Sequence, residues 1–187
     1  LNAQTMYWVG GSGHWNDIHH WSYTSGGVPV NKAPDMNTDV VFDDNSSSNT
    51  FIVNFTGLSY AKSAAFLNRS NELHFTGSNL SSLRISGNFV LNSKTFYEAN
   101  TSLIFSNTSA QYSDVHFWKN IVKANVLFEE GNWNLQSIKL DDTYLLKINK
   151  GSYNVNKSSI ITWDMESAAD NVVFNGNHSV FYVKNRI

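Results

Sequence analysis

Four residues of zinc-binding types lie close together near the start of the chain, in the stretch HWNDIHHW: His14, Asp17, His19 and His20. Their spacing matches no zinc motif, and the HExxH pattern of a metalloprotease helix does not occur. We interpret the histidines as rings that pack on neighbouring indoles or lie at the surface. We therefore predict neither a metal nor any other cofactor.

Three pairs of adjacent acidic residues are the other candidates for chemistry: Asp43-Asp44, Glu129-Glu130 and Asp141-Asp142. A glycosidase needs two carboxylates that face each other across the scissile bond. Adjacent residues of a strand point to opposite sides, so a pair in sequence is not a facing pair. We interpret the pairs as solvated turn charges. An acidic cluster beside Lys139 or Lys147 on one outer side of the fold would instead favour an enzyme.

The first acidic pair has an alternative role, because Asp39 precedes it and Asn45 follows it. Carboxylate and amide oxygens are ligands that calcium prefers, so Asp39, Asp43 and Asp44 are candidates for a calcium ion that stiffens the loop. Other motifs are missing: GGSGHW lacks the ending of a phosphate-binding loop, and neither a GxSxG elbow nor a cysteine occurs. We predict no catalytic residue and no enzyme.

Aromatic residues of the chain are candidates for ligand contact, since flat rings can stack on sugars: Tyr97, Tyr112, Trp118, Tyr153 and Tyr182. The alternative is that each ring belongs to the core, as most strand aromatics do. A sugar platform would make extracellular glycans ligands of the chain.

Composition and charge exclude some classes of partner. The formal net charge is −2 and only 15% of the residues are charged, so no positive surface for nucleic acid is expected. No apolar run of about 18 residues occurs, so we predict no membrane-spanning helix. The lack of cysteine excludes a disulfide scaffold and a thiolate metal site.

Short runs that alternate apolar and polar residues recur along the chain, separated by Asn, Ser, Gly and Asp. Such runs are typical of β-strands and turns, among them DVVFD from Asp39, TSLIF from Thr101 and NVLFEE from Asn125. The best helical candidate is the short stretch SYAKSAAFL, residues 59–67. The sequence predicts an all-β chain.

The runs fall into rows of roughly 20 to 30 residues that open with an apolar triplet, and the triplets centre on Phe75, Phe105, Phe128, Ile148 and Phe174. A row of this length cannot bury its own apolar face, so successive rows are expected to stack. The sequence thus predicts a parallel β-solenoid over residues 39–187. Its strand-like last residues, SVFYVKNRI, predict further coils beyond Ile187. The alternative is an antiparallel β-sandwich.

Residues 4–38 are predicted to form an N-terminal cap rich in Trp and Gly. An open coil has unpaired backbone groups that must be covered. Trp8, Trp15 and Trp21 could supply an apolar plug, with glycines in the turns between them. Residues 1–3 are interpreted either as the remnant of a secretory signal peptide or as an arbitrary boundary.

The cap and the strand after it resemble a recurrent module of Bacteroidota surface proteins, described as gliding-motility-associated adhesins or type IX secretion substrates. The shared residues are Tyr7 to Gly11, Gly13, Trp15, Asp17, Trp21, Ser25 to Gly27, Pro34 and Asp39 to Asp43. The resemblance covers about the first quarter of the chain. It implies export across both membranes of a Gram-negative cell and display on the outer surface, and it assigns no catalytic residue.

We therefore expect a non-enzymatic adhesin or filament module of a large secreted protein, which mediates surface attachment or gliding motility. Its expected partners are extracellular surfaces or glycans, together with the outer-membrane secretion or motility machinery. Two alternatives stay open. One is a polysaccharide-active or carbohydrate-binding β-helix domain, and the other is a surface scaffold for outer-membrane partners.

Overall fold

The computed structural model describes residues 4–155, 158–162, 164–167, 172–176 and 178–183. The first strands in this part of the chain are β1 (Gln4–Trp8), β2 (Gly13–His14), β3 (Trp21–Ser22), β4 (Thr38–Phe42), β5 (Phe51–Phe55), β6 (Leu58–Ala61), β7 (Ser63–Phe66), β8 (Leu73–Gly77), β9 (Ser82–Ile85), β10 (Phe89–Val90) and β11 (Thr95–Tyr97). They are followed by β12 (Ser102–Ser106), β13 (Ser113–His116), β14 (Asn125–Glu130), β15 (Asn132–Gln136), β16 (Ile138–Lys139), β17 (Leu145–Ile148), β18 (Gly151–Asn154), β19 (Ser159–Thr162), β20 (Asp164–Ser167), β21 (Val172–Asn175) and β22 (Val180–Val183). The helices of these residues are two short 3₁₀ turns, Ile18–His20 and Asp44–Ser46.

The strands stack into three walls of a parallel β-solenoid of about six turns. The first wall has the order β3-β1-β4-β7-β10-β13-β15-β18-β21, and the third wall has the order β6-β9-β12-β14-β17-β20. The second wall contains β2-β5-β8-β11 and β16-β19-β22. Among the described strands only the β1–β3 pair is antiparallel. The predicted solenoid is confirmed, and the alternative antiparallel sandwich is wrong.

Inward side chains stack in register from coil to coil and build the core. Phe105, Phe128 and Ile148 form one such row in the third wall, as predicted. Phe75 lies instead in the second wall and Phe174 in the first wall, so the predicted single row of five is wrong for these two residues. Strands of all three walls alternate in the same way, and the apolar pattern therefore does not distinguish one wall from another.

The best helical candidate, residues 59–67, is not helical, in keeping with the all-β prediction. This stretch forms β6 and β7, with a corner of the coil at Lys62. The backbone of β6 pairs with β9, and that of β7 pairs with β4 and β10, so tertiary hydrogen bonding outweighs the helix propensity of the alanines. Ala61 and Ala64 are buried inside the coil.

The Trp-rich N-terminal region covers the first end of the solenoid. Strand β3 pairs antiparallel with β1 at the end of the first wall. At the end of the third wall, Trp15 Nε1 donates a hydrogen bond to the Tyr60 carbonyl at 3.3 Å. Asn16 Nδ2 donates to the Leu58 carbonyl at 3.2 Å. The free carbonyls of β6 are thereby satisfied by side chains of the cap.

Three indoles of the cap form the predicted apolar plug. Trp8, Trp15 and Trp21 have no exposed surface. The Trp8 and Trp21 rings meet edge to face with their centroids 5.0 Å apart, and Trp21 Nε1 donates to the Trp15 carbonyl at 2.7 Å. Gly10 and Gly11 adopt positive φ angles of 85° and 78° in the turn after β1, a region in which glycine meets no steric penalty.

Candidate functional site

Of the candidate zinc residues, His20 packs on an indole, whereas His14 and His19 are exposed. The His20 ring stacks on the Trp8 indole, with centroids 4.7 Å apart, and its Nε2 lies 3.9 Å from the Asp17 carboxylate. A hydrogen bond from the backbone N–H of His19 is the main cause that lowers the pKa of Asp17. His14 lies on β2. Within the described residues, no group of three or more His, Asp or Glu side chains is arranged to hold a metal ion.

The three calcium candidates face different partners. Asp39 forms an ion pair with Lys62 at 3.8 Å. The Asp43 side chain caps the 3₁₀ helix that follows it. The Asp44 carboxylate accepts a hydrogen bond from the Ser70 backbone N–H at 2.6 Å. The calcium site at these residues stays a prediction.

A buried cation lies beside the same loop. The Arg69 guanidinium donates from Nη2 to the Lys94 carbonyl at 3.0 Å and to Thr95 Oγ1 at 2.7 Å. Burial lowers the pKa of Arg69 to about 10, while the charges of Asp44 and Asp43 act in the opposite direction. The Arg69 guanidinium thus supplies a positive charge near the pair Asp43-Asp44.

The second acidic pair ends strand β14 and is matched by cations. The Arg84 guanidinium donates two hydrogen bonds to the Glu129 carboxylate, at 2.5 and 2.9 Å. Hydrogen bonding to Glu129 is the main cause that raises the pKa of Arg84. Glu130 lies 4.0 Å from the Lys150 ammonium. Both carboxylates are therefore parts of ion pairs between coils: Glu130 pairs with the next coil, whereas the Arg84–Glu129 pair spans the coil of β12 that lies between β9 and β14.

The third acidic pair lies elsewhere. Asp141 and Asp142 follow β16, at the corner that leads from the second wall to the third. Lys139 is exposed at the end of β16. Lys147 pairs with Glu166 of the neighbouring strand β20 at 2.9 Å, and so with an acid outside the three pairs. The three acidic pairs lie at three different corners of the coil.

The five candidate aromatic platforms divide by burial. Tyr97 and Tyr153 lie in the core, where burial raises the pKa of each phenol, and they present no face to a ligand. Tyr112, Trp118 and Tyr182 are exposed by 40%, 46% and 54%. Tyr182 lies on β22, at the edge of the second wall.

Tyr112 and Trp118 belong to one line of outward side chains on the first wall. Residues 112–117 run through β13 and alternate in burial, which points every second side chain outward, and Trp118 is exposed in the turn that follows. We call these four outward residues the outer row: Tyr112, Asp114, His116 and Trp118. A strand rises about 3.3 Å per residue, so the Cα atoms of Tyr112 and Trp118, at the two ends of the outer row, lie at most about 20 Å apart.

Polar side chains of the next coil flank the middle of the outer row. In β15, Asn134 and Gln136 lie opposite Asp114 and His116. Asn134 Nδ2 donates to the Asp114 carboxylate at 2.8 Å. Together with Val90 of β10 these side chains line a depression of about 200 Å³. The depression offers hydrogen-bond donors and acceptors on a rigid sheet.

Trp118 is held in an unusual backbone conformation. Its φ angle is +57°, a left-handed value that is rare for a bulky residue. The indole lies beside the His116 ring, with centroids 5.3 Å apart and planes tilted by 46°. Burial lowers the pKa of His116 and so favours the neutral imidazole, the form that can both donate and accept a hydrogen bond.

A groove of about 520 Å³ begins beside Tyr112, at the corner between the third and first walls. Segments of four successive coils line it: 36–37, 62–63, 86–88, 106–109 and 112–113. Hydroxyl and amide side chains predominate, and the charged lining residue is Lys62, which pairs with Asp39. Buried Asn107 shapes the loop at one side, because its Nδ2 donates to Ser113 Oγ at 2.9 Å.

Sequence reasoning identified Tyr112 and Trp118 singly but missed the outer row. A signal for it was present, because YSDVHFW places Tyr, Asp, His and Trp at every second position. Asn134 and Gln136 carried no such signal. They reach the site only through the pairing of β15 with β13.

No protein-family model, curated protein or solved structure matches this chain. The resemblance of the opening motif to Bacteroidota surface modules therefore stays a prediction. In the part of the chain that the structure describes, no helix is long and apolar enough to cross a bilayer.

Proposed function

We propose that this chain is a non-enzymatic, adhesive β-solenoid module of a larger secreted protein. The observation that carries the proposal is the outer row, in which two half-exposed aromatic rings end a polar strip on a rigid wall. Exposed rings offer apolar area that a ligand can cover, and polar groups between them fix its orientation. The polar middle of the row, Asp114 and His116, lies on β13, and side chains on strands are held more precisely than side chains on loops.

The architecture supports an adhesive role. Backbone pairing joins each described coil to the next along three walls, so stacked coils make a stiff body with long lateral surfaces. The first end is covered by the cap, which leaves the walls as the surfaces for contact. Such a body can hold a binding surface away from the cell that carries it.

Display on a bacterial surface is the second part of the proposal. It is supported by the opening motif from Tyr7 to Gly13 and by the strand from Asp39 to Asp43, which resemble Bacteroidota surface modules. On this basis we propose type IX export and a role in surface attachment or gliding motility. Antibody labelling of intact cells tests the display, and label that appears only after lysis would contradict it.

Adhesion itself can be tested with beads that carry the purified domain. We expect such beads to stay on glycan-coated surfaces under flow, and beads with the double variant Tyr112→Ala, Trp118→Ala to be retained several-fold less. Tyr23→Ala is the matched control, because Tyr23 is exposed by 44% outside the outer row. Retention of wild-type beads no better than that of albumin-coated beads would overturn the proposal.

A polysaccharide-active domain is the alternative, and the distribution of acids argues for binding instead. A glycosidase uses two carboxylates across one bond, whereas Glu129 pairs with Arg84 and Glu166 pairs with Lys147 on separate strands of the third wall. New reducing ends or unsaturated uronates after incubation with polysaccharides would establish the enzyme. Recovery of outer-membrane proteins in place of glycans would establish a scaffold.

A further inference from the structure

We propose that the outer row binds an extended, neutral polysaccharide whose chain runs along β13, across the axis of the solenoid. In the bound state, Tyr112 and Trp118 stack on different sugar rings. The inference rests on the proposed adhesive function and names its ligand class.

The spacing of the two rings requires a polymer. Tyr112 and Trp118 lie on either side of β13, whose four residues alone extend about 10 Å, and their Cα atoms are at most about 20 Å apart. A single sugar cannot reach both rings, whereas an extended chain can touch both while it crosses the depression between them. The apolar C–H face of a sugar ring suits an aromatic face, because stacking removes apolar surface of both from water.

The groups between the rings match hydroxyls. Asp114 accepts hydrogen bonds, and Gln136 and the neutral form of His116 each donate and accept. Asn134 already donates to Asp114 and accepts from Asn154, which leaves its second amide N–H as a donor. A sugar hydroxyl is likewise both donor and acceptor. The depression therefore offers complementary partners for several hydroxyls of one chain.

The charge of the depression selects a neutral ligand. Its lining residues include one carboxylate, Asp114, and neither Lys nor Arg. A polyuronate or sulfated glycan would bring negative charge towards Asp114 without a cation in the lining to compensate it. In the adjoining corner groove, Lys62 is already paired with Asp39.

The backbone at Trp118 supports a role for its ring outside the core. Trp118 has a left-handed φ of +57° in the turn after β13, a conformation that tryptophan rarely adopts, and strained residues of this kind cluster at binding and catalytic sites. Its indole is 46% exposed, so burial in the core is not what holds the ring there. The strained turn holds the indole beside His116, at the end of the outer row.

Affinity electrophoresis with hydroxyethylcellulose, galactomannan and polygalacturonate tests the inference. We expect at least one of the two neutral polymers to retard the wild-type domain and polygalacturonate to leave it unaffected. Tyr112→Ala and Trp118→Ala should each weaken binding roughly tenfold, which is within the range found when an aromatic contact residue is truncated. Tyr23→Ala should bind like the wild type, and circular dichroism shows whether each variant is folded.

Ligand length gives a second readout. Both substitutions should weaken binding of cellohexaose if the neutral polymer that binds is hydroxyethylcellulose, whereas cellobiose should respond to one substitution at most. Stronger retardation by polygalacturonate, no retardation by either neutral polymer, or wild-type affinity in both variants would overturn the inference. If beads still adhere in any of these cases, the adhesive function stands and only the ligand class is wrong. If the beads do not adhere either, both the adhesive function and the ligand class are wrong.

Discussion

The inner and outer sides of the first wall carry the same kinds of residue and use them in opposite ways. On the inner side, Trp8, Trp21 and Phe42 have no exposed surface, and Trp21 lies 5.0 and 5.9 Å from the other two ring centroids. On the outer side, Tyr112 and Trp118 remain about half exposed beside polar groups. Aromatic content alone therefore indicates neither stability nor binding, and the side of the strand decides.

The difference has an energetic reason. An inner indole stabilises the fold by burying its whole surface and by donating its N–H to a carbonyl, as Trp21 does to Trp15. An outer ring keeps much of its apolar surface in contact with water. That surface contributes little to folding and is available to a ligand.

The largest expected effect is the difference in stability between two single variants, one that removes an inner ring and one that removes an outer ring. Trp21→Ala should lower the free energy of unfolding by about 3–5 kcal/mol, because it leaves a cavity in the cap. Trp118→Ala should change it by less than about 0.5 kcal/mol, as is usual for a surface site. Urea titrations followed by circular dichroism measure both values. Equal destabilisation by the two variants would contradict the comparison.

A pair of glycines extends the comparison to the corners of the coil. Gly151 and Gly57 have similar left-handed φ angles of 131° and 117°. A Cβ at Gly151 would overlap the Gly131 carbonyl of the previous coil, whereas a Cβ at Gly57 would meet no atom within 4 Å.

Both alanine variants share the backbone strain, so their difference isolates the contact between coils. We expect Gly151→Ala to be less stable than Gly57→Ala by roughly 2 kcal/mol. Thermal and urea unfolding of the two variants measure this difference. If they unfold alike, the corner yields to the extra methyl group, and the coils are less tightly packed there than the structure indicates.

The smallest effect concerns an ion pair on the outside of the coil. Lys123 Nζ lies 2.7 Å from Glu98 Oε1, and this hydrogen bond is the main cause that lowers the pKa of Glu98. A lowered pKa in the folded state stabilises the fold above the ordinary pKa of a glutamate. This stabilisation is lost as the pH falls through the folded-state pKa.

Because the pair is half exposed, its contribution is only a few tenths of a kcal/mol. Glu98→Gln should therefore be slightly less stable than the wild type near neutral pH, and the gap should close as the pH falls through the lowered pKa of Glu98. Urea titrations across this range measure the gap. It should also shrink in high salt, and a gap that widens in acid would contradict the assignment.

Much of the fold could be predicted from alternation along the chain. DVVFD from Asp39, TSLIF from Thr101 and NVLFEE from Asn125 form β4, β12 and β14, because an alternating run has one side to bury. The assignment of each strand to one of the three walls could not be predicted. Phe75 and Phe105 have similar neighbours in sequence, and only backbone pairing places them in different walls.

The candidate site could likewise be predicted only in part, namely for the residues that lie on one strand. The period of two in residues 112–118 is present in the sequence, whereas the contribution of β15 depends on the length of the intervening coil. That length varies: Phe89 pairs with Val115, 26 residues later, and Val115 pairs with Leu135, 20 residues later. Corner loops absorb the difference, and a search for one fixed period misses the residues that meet across coils.

The antiparallel strand β3 has a consequence for how the molecule resists misassembly. Parallel strands stacked in register at about 4.8 Å are also the geometry of amyloid fibrils, in which an open strand edge templates the next chain. At the first end of this solenoid, β3 presents a reversed strand, and side chains of Trp15 and Asn16 already occupy two edge carbonyls of β6. A foreign parallel strand finds no matching template at that end, which protects it from fibrillar growth.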